Sequence, residues 1–231
     1  MNAETEPPAA PRAIRSFVLR AGRMTAAQGR ALQQLWPLHG IDFSRKVLDL
    51  DAIFGRRAPR VLEIGFGDGE LLAEMAAREP DHDFLGVEVH EPGVGHCLLL
   101  MEKRGLTNLR LIRHDAVEVL REQIPDGALQ RVNLFFPDPW PKKRHHKRRI
   151  VQPDFMRVVA ARLRPGGLFH AATDWAPYGE HIEAVLAAEP AFEKPALAIT
   201  DRPSTKFERR GERLGHAVFE RAWRRCTRPP G

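Results

Sequence analysis

The sequence predicts an α/β fold, a mostly parallel sheet with helices on both faces. Three observations predict it. From Arg60 onward, short β-branched or aromatic runs alternate with longer helical patterns; the first run ends in the glycine turn Gly65-Phe66-Gly67-Asp68-Gly69; and carboxylates recur where successive runs end.

Val61-Leu62-Glu63-Ile64 reads as the first strand, and Glu70 to Ala77 as the helix after it, with Leu71, Leu72 and Met75 on one face. Phe84 to Val89 forms a second strand, and Leu98 to Lys103 belongs to the helix that follows it. Leu109 to Ile112, Val132 to Phe136 and Leu168 to Ala171 supply three more strands. Phe155 to Leu163 is helical and stops at Arg164-Pro165-Gly166-Gly167, a terminator by composition. Upstream, Ala27, Ala31, Leu32 and Leu35 repeat at helical spacing from Ala26 to Trp36, and Pro37 with Gly40 ends that pattern. Met1 to Pro11 is rich in Ala, Pro and Glu and reads as unordered.

Composition removes several classes. In 231 residues, 43% hydrophobic and 29% charged, no apolar run approaches the ~20 residues a bilayer crossing needs. Glu4 and Glu6 stand where a signal peptide is basic, and Pro7, Pro8 and Pro11 where it is apolar, so the expected location is cytoplasmic. Cys97 and Cys226 fit a reducing compartment and show no CxxC or Cys/His spacing for zinc. No metal is expected.

Charge is more informative. The net +6 is confined to the run Lys142-Lys143-Arg144-His145-His146-Lys147-Arg148-Arg149; without it, cations and acids balance at 30 each. A compact cationic block between ordered segments points to a polyanion-facing loop. His145 and His146, flanked by cations, make a poor metal site and read as facing the polyanion or merely exposed.

Ligands of such a sheet sit beyond the carboxyl ends of the strands. The glycines of the turn let main chain approach a ligand closely. Glu88 ends the second strand, where a carboxylate can accept from both hydroxyls of a ribose, and Asp115 follows the third, placed to meet an adenine amino group or to cap the next helix. Together they favour an adenosine-containing cofactor. A dinucleotide fits less well: the third glycine comes one position early, and Asp68 in the turn and Glu63 at the same edge would repel a diphosphate. Those acids suit S-adenosylmethionine, with its sulfonium and ammonium. The fourth strand runs into Phe136-Pro137-Asp138-Pro139-Trp140-Pro141, a stiff turn that fixes Asp138 beside the methyl donor and leaves Trp140 to stack on a planar base.

These residues, with Ala172-Thr173-Asp174-Trp175, Tyr178 and Thr205-Lys206-Phe207-Glu208-Arg209-Arg210-Gly211, resemble the bacterial tRNA (guanine-N7)-methyltransferases. The resemblance runs from about Ile14 to the C-terminus, and Phe136 to Arg149 is its most specific part; after His216 the family pattern leads one to expect glycine where this chain has Ala217. It implies a Rossmann-like class I S-adenosylmethionine-dependent methyltransferase with a seven-stranded sheet. The chain would then divide into a disordered tail (1–12), a helical extension (13–50) and a methyltransferase domain (51–231). The implied reaction moves a methyl group from S-adenosylmethionine to N7 of a guanosine in the tRNA variable loop. The implied cofactor contacts are Glu63, Glu88, Asp115 and Asp138, beside the turn glycines Gly65, Gly67 and Gly69, with Asp138 also catalytic. Lys142, Asp174, Thr205, Lys206, Phe207 and Glu208 would meet the substrate, and Arg144, His145, His146, Lys147, Arg148 and Arg149 the RNA. His170 and His181 read as structural. The competing readings are a same-fold methyltransferase for another RNA or a small anion, a non-catalytic RNA-binding protein and a dinucleotide oxidoreductase. Monomer and homodimer both remain open.

Overall fold

The structure, a computed structural model, describes residues 15–18, 22–193, 203 and 217–227. Helix α1 (Ala26–His39) starts with a capping box: the Gln28 amide donates to the Thr25 hydroxyl, and the Thr25 amide donates to the Gln28 side-chain carbonyl. It runs past Pro37 and stops only when the Gly40 amide bonds to the Trp36 carbonyl. A proline so near the end disrupts little of the remaining ladder.

The remaining elements alternate as the sequence implies: β1 (Gly40–Ile41), α2 (Leu50–Phe54), β2 (Arg60–Ile64), α3 (Glu70–Arg78), β3 (Asp83–Val87), α4 (Glu91–Arg104), β4 (Leu109–Ile112), α5 (Ala116–Glu122) and β5 (Leu129–Phe135). A 3-10 helix (Lys143–Arg148) precedes α6 (Pro153–Arg162), β6 (Leu163–Thr173), α7 (Ala176–Ala188), β7 (Phe192–Glu193) and β8 (Phe219–Arg225). The sheet order is β1-β4-β3-β2-β5-β6-β8-β7, parallel as far as β6 and antiparallel beyond it.

Among the described residues the sheet therefore has eight strands in place of the expected seven. Short edge strands account for the difficulty of counting: Gly40 and Ile41, two residues with no alternation to read, pair with Leu111 and Ile112 at one edge. The helix expected to reach Leu163 ends at Arg162, and the strand expected to begin at Leu168 begins at Leu163, because Pro165-Gly166-Gly167 lies inside the extended segment. The strand expected to reach Val89 ends at Val87.

Side-chain alternation sorts the core into two layers. Leu62, Ile64, Leu85 and Val87 face one cluster with α5, α6 and α7, while Val61 and Phe84 face the other with α1, α3 and α4. Register aligns the strand ends: Ile64 pairs with Val87 and Leu134, and Phe135 with Ala172. The chain winds outward from β2 through β3 and β4, then returns to place β5 against the other side of β2. That reversal splays the flanking loops apart and leaves a crevice at the carboxyl ends. No helix of the described residues is long and apolar enough to cross a membrane.

Candidate active site

A cavity of about 520 Å3 opens at that reversal, lined by Gly65 and Gly67 after β2, Val87 to His90 after β3, Phe135 to Asp138 after β5, and Ser16 to Val18 from the N-terminal segment. Gly65 and Gly67 have φ of 70° and 61°, left-handed values that cost a side-chain-bearing residue ~1–2 kcal/mol. A Cβ at either would meet nothing within 4 Å, so the main chain stands bare toward open space. Gly69 serves differently. It begins α3 at φ 77°, and a Cβ there would lie 2.5 Å from the Cys97 sulfur, so this glycine packs the turn onto α4 and is absent from the cavity wall.

Glu88 ties the wall together. One carboxylate oxygen accepts from the Gly67 amide at 2.9 Å, the other from the Val89 and His90 amides at 2.7 and 2.9 Å. Three accepted bonds leave about one of its roughly four acceptor sites for a ribose hydroxyl, fewer than the two the sequence suggested. Asp115 takes the capping role and also borders a cavity. Its carboxylate accepts from the Val117 amide at 2.9 Å as the cap of α5, and it lines a shallower cavity that shares Phe17, Val89 and His114 with the larger one. Burial pushes its carboxyl above the ordinary range, an effect the Val117 bond partly offsets. Glu63, near the end of β2, is 3% exposed and is not among the residues lining the cavity; it lies on the α3 and α4 side of the sheet, where its charge adds to the burial that pushes the Cys97 thiol up.

Asp138 is exposed at the cavity rim. Its turn is held by unusual backbone: Phe136 and Trp140 have φ of 50° and 44°, conformations that bulky residues adopt only when surroundings impose them. The restraints are visible. The Phe136 amide donates to the Ala172 carbonyl at 2.8 Å, the Trp140 indole to the Ser16 carbonyl at 3.0 Å, and the Arg149 guanidinium to the Pro139 carbonyl at 3.0 Å. Asp174 is exposed just past β6, the strand beside β5, so both aspartates share one sheet edge.

The basic run divides in two. Lys142, Lys143, Arg144 and Lys147 are exposed, whereas Arg149 is 3% exposed, bonded to Pro139 and His146 and stacked on Tyr178 with 5.0 Å to its ring centre. Arg149 thus corrects the expectation that the segment from Arg144 to Arg149 faces RNA throughout: the chain doubles back there to enter α6, and the guanidinium closes the loop from within. Arg148 is half-buried, 3.9 Å over the Trp140 ring, and donates to the Arg15 and Phe17 carbonyls. Trp140, expected to stack on a base, has Arg148 over one face and His145 meeting it edge-on. His145 and His146 are half-buried. Burial first, then Arg144, Arg148 and Lys142, lower the pKa of His145.

Tyr178 is buried, its phenol pushed up to about 12. His181 meets the Val151 carbonyl at 2.7 Å and His170 the Glu220 carboxylate at 2.7 Å, both structural uses, as expected. Thr205, Lys206, Phe207 and Glu208 lie outside the described residues. Sequence reasoning missed Ser16 to Val18, His90, Ile150 and Gly93. The first five line the cavity from distant elements and carry no local motif. Gly93 is more specific: a Cβ on it would stand 2.1 Å from the Gly67 carbonyl, so its absence lets α4 press against the turn.

Comparison with known proteins agrees with this geometry. Residues 57–221 match the family described as "Putative methyltransferase". A tRNA (guanine-N(7)-)-methyltransferase of Alkalilimnicola ehrlichii is 58% identical over 94% of this chain and 95% of its own, and one of Halorhodospira halophila is 57% identical over 93% and 96%. Among solved structures, the 16S rRNA methyltransferase KamB superposes with a TM-score of 0.56 at 16% identity, covering 80% of this chain and 95% of its own. A 16S rRNA (adenine(1408)-N(1))-methyltransferase from Catenulisporales acidiphilia, solved with S-adenosylmethionine, gives 0.52 at 16% identity over 83% and 96%. Those structures establish the class I S-adenosylmethionine-dependent methyltransferase fold. The sequence relatives reach further, since such identity along nearly the whole chain carries the family too: this chain belongs to the bacterial tRNA (guanine-N7)-methyltransferases.

Proposed function

We propose that this chain methylates N7 of a guanosine in the variable loop of tRNA, with S-adenosylmethionine as donor. One observation carries the reading: the glycine-lined cavity has Asp138 at its rim, and the exposed cations begin four residues beyond that aspartate.

The residues fit the donor. Gly65 and Gly67 leave main chain open to it, Glu88 can accept from its ribose, and Asp115 can accept from its adenine amino group. When bound, S-adenosylmethionine supplies an electrophilic methyl group on a positively charged sulfur. Guanine N7 has a free lone pair, so no proton must be removed and the chain needs no general base. Its task is positioning and charge. Positive charge grows on the purine as the methyl arrives, and the Asp138 carboxylate stabilises it while accepting hydrogen bonds from the guanine N1 and N2 donors. Asp174, on the same edge, helps hold the base. Lys142, Lys143, Arg144 and Lys147 hold the phosphate backbone and offset the few kcal/mol needed to draw the guanosine from its stack.

The test is to incubate the protein with unmodified tRNA and a labelled methyl donor, then map 7-methylguanosine by its lability to strand scission. Cleavage at one variable-loop guanosine, lost when that guanosine is replaced by adenosine, is the expected result. Label at another nucleotide, or none, would refute the assignment.

A further inference from the structure

Arg148 belongs by sequence to the RNA-facing run, yet its half-buried guanidinium bonds to the protein's own main chain. Its Nε donates to the Arg15 carbonyl at 3.1 Å and its Nη2 to the Phe17 carbonyl at 3.1 Å. Between these, the Ser16 carbonyl accepts from the Trp140 indole at 3.0 Å. Three consecutive carbonyls are thus held by two side chains that are themselves stacked at 3.9 Å. Residues 15–18 belong to no helix or strand that would hold them in place. They nonetheless form part of the donor cavity: Ser16, Phe17 and Val18 line it, and Arg15 and Phe17 line the adjoining recess that contains Asp115.

We propose that Arg148 and Trp140 form a latch that fastens residues 15–18 as a wall of the donor site, making Arg148 a positioning residue for cofactor binding. The inference rests on reading that cavity as the S-adenosylmethionine site. The chemistry suits arginine specifically: its planar fork reaches two carbonyls at once and lies flat on an indole, which the point charge of a lysine cannot do. The latch joins the wall of the cofactor site to the same short turn that carries Asp138, so donor affinity and rim geometry depend on one contact.

The test measures S-adenosylhomocysteine binding by calorimetry without RNA, alongside KM for each substrate. Arg148→Ala is expected to weaken binding about tenfold, the loss of bonds from a charged donor. Arg148→Lys is expected to stay at least about threefold weaker than the parent. Lys147→Ala, which removes a neighbouring charge but no latch contact, is expected to leave that affinity within about twofold. KM for S-adenosylmethionine should rise more than KM for tRNA in Arg148→Ala, and amide exchange at residues 15–18 should quicken. Unchanged affinity in Arg148→Ala with weakened tRNA binding would make Arg148 a phosphate contact and overturn the latch. Should Arg148→Ala fold poorly, Trp140→Phe carries the test, because it leaves a smaller aromatic ring beneath Arg148 and removes the bond to Ser16; affinity equal to the parent's would overturn the proposal. A parent protein that fails to bind S-adenosylhomocysteine would instead sink the cofactor reading and the latch with it.

Discussion

Asp138 and Gly93 place the chemistry on single residues. Asp138→Asn preserves shape and removes the charge, so kcat is expected to fall ~10²-fold or more while S-adenosylhomocysteine affinity stays near that of the parent. Parent-like turnover with normal binding would remove Asp138 from catalysis. Gly93→Ala acts from behind the wall. Its Cβ would stand 2.1 Å from the Gly67 carbonyl, a backbone atom that cannot rotate away. Overpacking of this kind costs ~1–3 kcal/mol, and here the strain falls on the donor turn. Both lower stability in urea and weaker cofactor binding are expected; a shift in stability alone would separate Gly93 from the site. The acids after the strands were legible because they fall at the ends of successive strands, where the ligands of such a sheet sit. Gly93 was not, since a helical glycine reveals its purpose only through what lies opposite.

At the scale of elements, the buried strands β2, β3 and β4 could be read directly, because short runs rich in β-branched or aromatic residues alternate there with longer helical patterns. β1 could not, being two residues long, and the start of β6 was masked by Pro165-Gly166-Gly167. The basic run pointed to a polyanion-facing loop but not to how its cations divide, because burial of Arg149 depends on Tyr178 from α7. Arg149→Ala is accordingly expected to destabilise the fold by ~1–3 kcal/mol in denaturant melts, through lost bonds and stacking, whereas Lys143→Ala should change it by less than ~0.5 kcal/mol. The seam between α7 and the lead into α6 also has a pH signature. Burial, then the charges of Arg149 and His146, hold His181 below the ordinary histidine value of 6.5, against the opposing bond to Val151. The unfolded chain therefore binds the extra proton first, and stability present above pH 6.5 is lost as pH falls through that value. The melting temperature should drop on acidification below it, and His181→Asn should shrink the drop. An identical pH profile in the variant would assign the effect to other groups.

Across the whole molecule, the cavity at the chain reversal has Asp138 at its rim, and the exposed cations begin four residues beyond that aspartate. Four exposed cations, at a single-strand factor of ~0.7 per phosphate contact, predict a contribution of about −3 to the log–log salt slope of tRNA binding. Replacing Lys142, Lys143, Arg144 and Lys147 with alanine should flatten the slope by about that amount, and an unchanged slope would move the RNA elsewhere on the surface. The central claim is that these two features converge on one purine nitrogen. It is tested most directly by single-turnover methylation of a tRNA carrying 7-deazaguanosine at the variable-loop site, which retains the base shape and its N1 and N2 donors but lacks the N7 lone pair. Binding equal to that of the ordinary tRNA with no methyl incorporated is the predicted result; undiminished incorporation would contradict it.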